Sequence, residues 1–468
     1  MKKIIALLLA LSMTLALVAC GGGNNKNTDK DQTAGNTAGN TAGNTAGDTT
    51  KEPADDAKEP AADAGEITLW TYPVGKWGDE AAVKAMTDAF TADTGIKVKV
   101  EFLAYADGDD KVNTAITAKA APDLILEGPE RLVANWGANG YLVDLSDMID
   151  DTDKSEFIEA AITPCINAEG KMYEYPLCMT AHCMAINLDA FKQAGADQYI
   201  DMETRTWTTE NFLKAVDALY AEFGSTVGAV YCGGQGGDQG TRALINNMYG
   251  GTYTNADHTA YTWDDAKNVQ AIEALLASEG IAFDASLQGG DEIAKFYQGA
   301  LKMAFCWNSV QQADPNGAGT GEGKTITGEE IFYMNFPTAD GAPAELCGGI
   351  WGFGIFDNGD QARIDNAKTF IKWMCDSEHT ADAVKTANFF AARTAAEGTD
   401  LTKLFDSDMM NEYAAQMLPN LGDYYNVIKG WAAQRTEWWT MLQEIGNGAD
   451  VNETIAARMA NANAAAQG

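Results

Sequence analysis

Residues 171–189, KMYEYPLCMTAHCMAINLD, decide how the chain is read. The run is apolar and strand-like, entered through Pro176 and left through Asn187 and Asp189. Short strands and helices alternate on either side of it, so here one folded lobe hands over to another. Two α/β lobes that share a crossing strand leave a cleft between them, and such clefts are where small ligands sit.

Working upstream, the first lobe opens with a βαβαβ order. Ile67 and Leu69 alternate with Thr68 and Trp70 as a half-buried strand. Val83, Met86 and Phe90 recur at helical spacing from Asp79 to Asp93, and Gly95 marks the stop. Lys97 to Phe102 alternates again, Val112 and Ile116 place a helix over 109–119, and Leu124 to Leu126 is an apolar strand. This order predicts parallel strands with right-handed crossovers and a ligand site beyond their carboxyl ends. Those ends carry Tyr72 and Trp77 after the first strand, and Glu127, Glu130 and Arg131 after the third. Rings beside acids and a fork-shaped cation suit sugars, whose C–H faces pack on rings while their hydroxyls need charged or amide partners. A second assignment stays open, with Trp70 in the core and Glu130–Arg131 capping the next helix.

Downstream the logic repeats. Phe212, Val216, Leu219 and Phe223 form a helical stripe after the cap candidate Thr208. Val227 to Tyr231 is a strand feeding the glycine-rich loop 233–240, which lacks G-x-G-x-x-G spacing and reads as a flexible cleft loop rather than a phosphate cradle. Lys302 to Cys306 is a strand whose end brings Trp307 and Asn308 to the cleft by the same rule.

The N-terminal region says where these lobes reside. Lys2 and Lys3 precede an apolar run from Ile4 to Val18, closed by Leu17-Val-Ala-Cys20, too short and wrongly flanked for a spanning helix. The pattern resembles the bacterial lipoprotein signal, in which the cysteine becomes the acylated first residue; it implies lipidation at Cys20 and a protein held on the outer face of the cell membrane. Residues 21–65 contain repeated AGNT and a charged, proline-containing stretch, and bury too little apolar surface to order. They form a disordered tether with a coil dimension of about 35–40 Å. From Glu66 onward about 400 residues remain, enough for two lobes with substantial cores.

With 32 basic against 67 acidic residues the formal net charge is −35, and loss of the leader lysines makes it more negative. Nucleic acid and anionic lipid are excluded as charge-driven partners. Cys165, Cys178, Cys183, Cys232, Cys306, Cys347 and Cys375 lie mostly within apolar runs and read as small core residues, with any disulfide not identifiable from spacing. Catalytic and metal motifs are scarce. The 3 histidines, His182, His258 and His379, form no H-E-x-x-H, and no G-x-S-x-G occurs. Cys178, His182 and Cys183 would share one strand with alternating directions, which does not suit a metal. Asp107-Gly-Asp109-Asp110 has no glycine at the sixth loop position of a calcium site. Residues 318–325, AGTGEGKT, approach a phosphate-binding loop, but neither a buried strand leading in nor a long helix leading out accompanies them. No catalytic residue, metal or cofactor is expected.

The lipoprotein signal, the tether, ITLWTYPVG, PDLILEGPERL, GKMYEYP, AINLDAFKQAG, TWTTENFLKAVDAL, LKMAFCWN and GGIWGFGIF, in this order, resemble the extracellular solute-binding proteins of bacterial ABC importers, in the family 1 branch of maltose- and multiple-sugar-binding proteins. The resemblance covers nearly all of Glu66 to Gln467. It implies a non-enzymatic, two-lobed periplasmic-binding-protein-like α/β fold with a central cleft, hinge crossings at Pro176–Met184, at Pro337–Leu346 and around Ala391–Thr394, and a monomer that delivers a solute to permease subunits. The lobes implied are 66–177 with 345–392, and 184–336 with 395–468. The ligand contacts it implies are Tyr72, Trp77, Glu127, Glu130, Arg131, Tyr175, His182, Trp307, Asn308, Trp351 after GGI, and Tyr424 and Trp431 near the C-terminus. The chain departs from the family with Glu127 where an aromatic platform often stands and with Phe389-Phe-Ala-Ala-Arg393 in place of a proline-containing crossing. Two further readings stand beside the sugar binder: a receptor for a cationic solute such as a polyamine or amino sugar, and a secreted glycosidase with paired carboxylates.

Overall fold

The computed structural model describes residues 64–105, 107–233, 238–313, 323–422 and 428–467. Cys20, the leader, residues 21–63 of the tether and Tyr424 lie outside the described residues, as do parts of the glycine-rich loop and of the 318–325 motif; the last tether residue, Gly65, instead opens β1 by pairing with Ile96. The strands used below are, in chain order, β1 (Gly65–Thr71), β2 (Ile96–Phe102), β3 (Leu124–Glu127), β4 (Tyr175–Asn187), β5 (Gly228–Tyr231), β6 (Ile281–Asp284), β7 (Met303–Trp307), β8 (Ile331–Met334), β9 (Cys347–Ile355) and β10 (Phe390–Ala391).

The opening of the chain folds as its pattern predicts. The helix Glu80–Thr94 starts at Asp79, whose carboxylate accepts the Ala82 N–H, and stops at Gly95, whose φ of 75° is left-handed. It returns the chain so that β1 pairs in parallel with both β2 and β3. The local pattern does not reveal what continues this sheet. β9, from far along the chain, adds antiparallel to β3, and β4 and β10 follow, giving the order β10-β4-β9-β3-β1-β2.

β4 is buried along its whole length. Its residues Tyr175–His182 pair with β9, and Cys183–Asn187 pair with β7 and β8. The change of partners is also a change of core. Leu177, Cys178 and Met179 pack with Ile67, Phe90, Leu124 and Phe353, whereas Ala181, Cys183 and Met184 pack with Phe212, Val230, Phe305 and Met441. Being buried on both faces explains the near-continuous apolar run of residues 171–189.

β9 makes the return passage, since Cys347 belongs to the second core and Ile350 to the first. Phe336, Ala344 and Leu346 all pack in the second core, so this change of core comes later than Pro337–Leu346. Past β10, Ala396 and Leu401 still pack in the first core and Tyr413 is in the second. The chain is held in the first core at Arg393, which ion-pairs with Asp376 at 2.8 Å, Asp153 at 3.1 Å and Glu156. The third passage therefore also falls downstream of Ala391–Thr394. The seven cysteines from Cys165 to Cys375 are unpaired thiols, buried except for Cys306, which is partly so.

Candidate functional site

The carboxyl ends of β1 and β3 converge on one guanidinium. Tyr72 follows β1, and Gly128–Pro129 turns the chain from β3 into a short helix that carries Arg131. Arg131 donates from Nε to Asp109 Oδ1 and from Nη1 to Glu127 Oε1, both at 2.6 Å. Its guanidinium carbon lies 5.0 Å from the Tyr72 ring centroid and 5.5 Å from that of Tyr105, and the two tyrosines stack on each other at 5.1 Å. Tyr72 Oη donates to the same Asp109 oxygen at 2.5 Å. Asp109 lies in the first turn of the helix Gly108–Thr117, and a side chain at Gly108 would run into the Tyr72 ring at 2.6 Å. Glycine there lets the ring come this close.

The second core contributes the opposite wall. Trp431 begins the helix Trp431–Gly446, entered through Gly430 at φ 84°. Arg435, one turn on, lies 4.9 Å from the Trp431 ring and donates to Asp238 Oδ1 at 3.0 Å. Asp238 also pairs with Arg242 at 3.3 Å, one turn into the helix Gln239–Tyr249. The walls meet where Arg131 lies 5.2 Å from the Trp431 centroid. Glu130 feels Arg242 and Asp238, and so does His182. His182 sits at the point where β4 changes partners, with its ring edge-on to Trp351 at 6.5 Å, and Trp351 stacks on Phe389 at 4.5 Å.

Burial sets the protonation of this cluster. It lifts the Glu127 carboxyl to about 7, with Arg131 opposing and Glu130 and Asp109 adding to the rise. Burial also raises Glu130, against Arg242 and Arg131. Burial would raise Asp109 as well, but the Arg131 guanidinium and the Tyr72 hydroxyl outweigh it and hold the carboxylate below its usual range. Burial pushes His182 down to about 4, assisted by Arg242, so its imidazole is neutral at pH 7. Apart from Asp238 Oδ2 and Arg242 Nε, which face each other in their ion pair, four buried polar atoms here have no hydrogen-bond partner in the protein: Glu127 Oε2, Arg131 Nη2, His182 Nε2 and Trp431 Nε1. In a finished core such groups are rare and costly. Together they offer donors and acceptors of both kinds.

The structure thus brings together Tyr72, Glu127, Glu130, Arg131, His182, Trp351 and Trp431. Tyr424 lies outside the described residues, and Trp77, Tyr175, Trp307 and Asn308 are placed elsewhere. Trp77 is fully buried in the first core, with its indole N–H on Ala383 O at 3.2 Å. Tyr175 packs edge-on to Phe157 and donates to Asp153 at 3.2 Å. Trp307 is fully buried against Phe296 and Tyr297 in the second core, and its indole N–H meets Gln312 Oε1 at 3.0 Å. Asn308 accepts the Val310 N–H and shapes the turn after β7. Sequence reasoning passed over Tyr105, Asp109, Asp238, Arg242 and Arg435. Arg435 had a usable signal, because four residues from Trp431 it must share a helix face. A separate cavity of about 700 Å³, between Ile158, Pro164 and Ile350 on one side and His258 and Leu421 on the other, is lined by none of these residues. Among the described residues no cluster of His, Cys, Asp or Glu is placed to hold a metal, and no helix is long and apolar enough to cross a membrane.

Two α/β cores joined by crossing strands, with a charged and aromatic seam between them, define a two-lobed binding protein. Residues 75–381 match the family model for bacterial extracellular solute-binding proteins, and the chain belongs to that family. Binding proteins of Brucella abortus and Brucella suis are 29% identical over 139 residues, 29% of this chain; the match spans about a third (32%) of those curated relatives. Among solved structures, the solute-binding protein of an Agrobacterium radiobacter ABC transporter, crystallised with ribitol, superposes with a TM-score of 0.69 at 21% identity over 86% of this chain and 99% of its own. The GacH receptor of Streptomyces glaucescens, solved unliganded and with acarbose, gives 0.64 at 18% identity over 85% and 97%. A solute-binding protein of Thermotoga lettingae bound to α-D-tagatose gives 0.67 at 16% identity over 86% and 100%. These are named as a receptor and as solute-binding proteins, and at such identities the likeness establishes a shared fold.

Proposed function

We propose that the protein is the substrate-binding component of an ABC importer, tethered outside the cell through acylated Cys20, and that it captures a neutral, hydroxyl-rich solute such as a carbohydrate, oligosaccharide or polyol. The two cores act as lobes that close over the solute as a monomer and present it to the permease subunits. The carrying observation is the set of buried atoms without a protein partner, Glu127 Oε2, Arg131 Nη2, His182 Nε2 and Trp431 Nε1. Hydroxyl groups both donate and accept, so one polyhydroxylated molecule can answer acids, a guanidinium, a neutral imidazole and an indole together. Ligands named for the Agrobacterium, Streptomyces and Thermotoga structures, ribitol, acarbose and α-D-tagatose, are of this chemistry.

The cationic alternative is disfavoured by one feature. The aromatic faces that would receive an ammonium group are already covered by the protein's own arginines, Arg131 over Tyr72, Tyr105 and Trp431, and Arg435 over Trp431 and Trp439. A thermal-shift screen of sugars, polyols, polyamines and amino acids tests the reading, because a ligand at 100 times its dissociation constant stabilises the folded state by about 2.7 kcal/mol. Anchoring is tested separately with Cys20→Ser, which moves the protein out of the membrane fraction if the cysteine is the attachment point.

A further inference from the structure

Glu174 is fully buried, and neither of its carboxyl oxygens has a hydrogen-bond partner. It lies just before β4, two residues ahead of Pro176. Pro176 registers with Gly352 on β9, and Gly352 also registers with Glu127 on β3. The two-residue alternation of extended chain therefore sets Glu174 on the same side of the sheet as Glu127. The charged groups that act on it are Glu130 and Glu127, and around it are the buried thiols of Cys165, Cys178 and Cys375. The cations of the Glu127–Glu130 cluster are directed to other acids: Arg131 to Asp109 and Glu127, Arg242 to Asp238, and Arg435 to Asp238.

An ionised carboxylate at this position would be unsolvated, unpaired and beside two other acids. Burial without a partner disfavours the charged form, and like charges disfavour it further. We propose that Glu174 keeps its proton in the folded protein at neutral pH, and that this neutral carboxyl lets Glu127 and Glu130 stand together at the carboxyl end of β3. The first-lobe side of the site is then a pH-sensitive unit that loosens in alkaline solution, whichever solute it serves. The sign follows from proton counting. Between the ordinary glutamate pKa, about 4.3, and the raised value in the fold, the native state holds a proton that the unfolded chain has lost, so stability falls as pH rises.

The test uses the full mature protein without solute, so its failure is distinct from failure of the sugar-binding reading. Infrared spectra at neutral pH should show a protonated-carboxyl stretch in the wild type that decreases in both Glu174→Gln and Glu174→Met, the second variant guarding against a folding failure peculiar to the amide. In urea unfolding, the wild-type folding constant should fall with rising pH by up to about tenfold per unit more steeply than that of either variant. An unchanged carboxyl band across the three proteins, or equal pH slopes, overturns the proposal. Should neither variant fold, a wild-type spectrum at neutral pH with no protonated-carboxyl band overturns it alone; because burial also lifts Glu127 to about 7 and Glu292 to about 8, a band supports it only if it persists in the double variant Glu127→Gln, Glu292→Gln, and its loss there overturns it.

Discussion

The guanidinium of Arg131 lies 5.2 Å from the ring centroid of Trp431, and through this contact the turn after β3 touches a helix of the other core. Arg435 lies 4.9 Å from the same ring. Trp431 is thus held between an arginine of each lobe, and its indole N–H is left without a protein acceptor. An aromatic residue at the centre of a desolvated seam is the kind of group that dominates binding energy.

Trp431→Ala should weaken solute binding by about 2 kcal/mol or more, roughly thirtyfold in dissociation constant. The melting temperature of the unliganded protein should shift much less than for a core tryptophan. Calorimetric titration and a thermal scan on one preparation check both; intact affinity would remove Trp431 from the site.

Trp307 should behave in the opposite way. Its ring is enclosed by Phe296 and Tyr297 and its N–H is satisfied by Gln312. Trp307→Ala should cost about 3–5 kcal/mol of stability through the cavity it leaves, while the affinity of the remaining folded protein stays near wild type. Denaturant unfolding with parallel titration distinguishes this from a contact role, for which affinity would collapse and stability would hold.

These two tryptophans show how far the chain could be read. One ends a strand and the other begins a helix, each beside polar residues, and a ring at the end of an element looks the same whether it turns into the cleft or back into the core. What decides is long-range packing, here Phe296 and Gln312 for Trp307 and Arg131 for Trp431. β4 was legible because a strand buried on both faces leaves an uninterrupted apolar run, and β1 to β3 were legible because their pairing is local. The insertion of β9 between β3 and β4 was not, since CGGIWGFGI carries no local mark of its partners. Asp238 and Arg242 were hidden for a similar reason: their i,i+4 pair starts inside the glycine-rich loop and acquires meaning only when Arg435 arrives from the C-terminal helix.

Acid should destabilise the protein through His182. Its imidazole is kept neutral by burial, with a pKa near 4 in the fold, against about 6.5 in the unfolded chain. Below about pH 6.5 the unfolded state takes up a proton that the native state refuses, so stability falls as pH falls, by about 2 kcal/mol at pH 5 and about 3 at pH 4. His182→Gln should flatten this limb of the stability profile measured by urea unfolding. An unaltered slope would mean that the imidazole is not the group responsible.

Arg393 should be structurally indispensable. It is buried and pairs with Asp153, Glu156 and Asp376 where the chain is about to leave the first core. Removing one partner of a buried ion network leaves uncompensated charge, so Arg393→Ala should cost about 3–5 kcal/mol. A loss below about 1 kcal/mol in denaturant unfolding, the range of exposed pairs, would show the network to be solvated.

Binding of a neutral, hydroxyl-rich solute is expected at the seam between Arg131 and Trp431. It is tested most directly by calorimetric titration of the mature protein, without leader and tether, against a panel of neutral sugars and polyols set beside polyamines. Saturable, stoichiometric binding of at least one neutral member, recovered chemically unchanged, is expected, with no binding of the polyamines. Saturable binding of a polyamine with no response to any neutral sugar or polyol would contradict it.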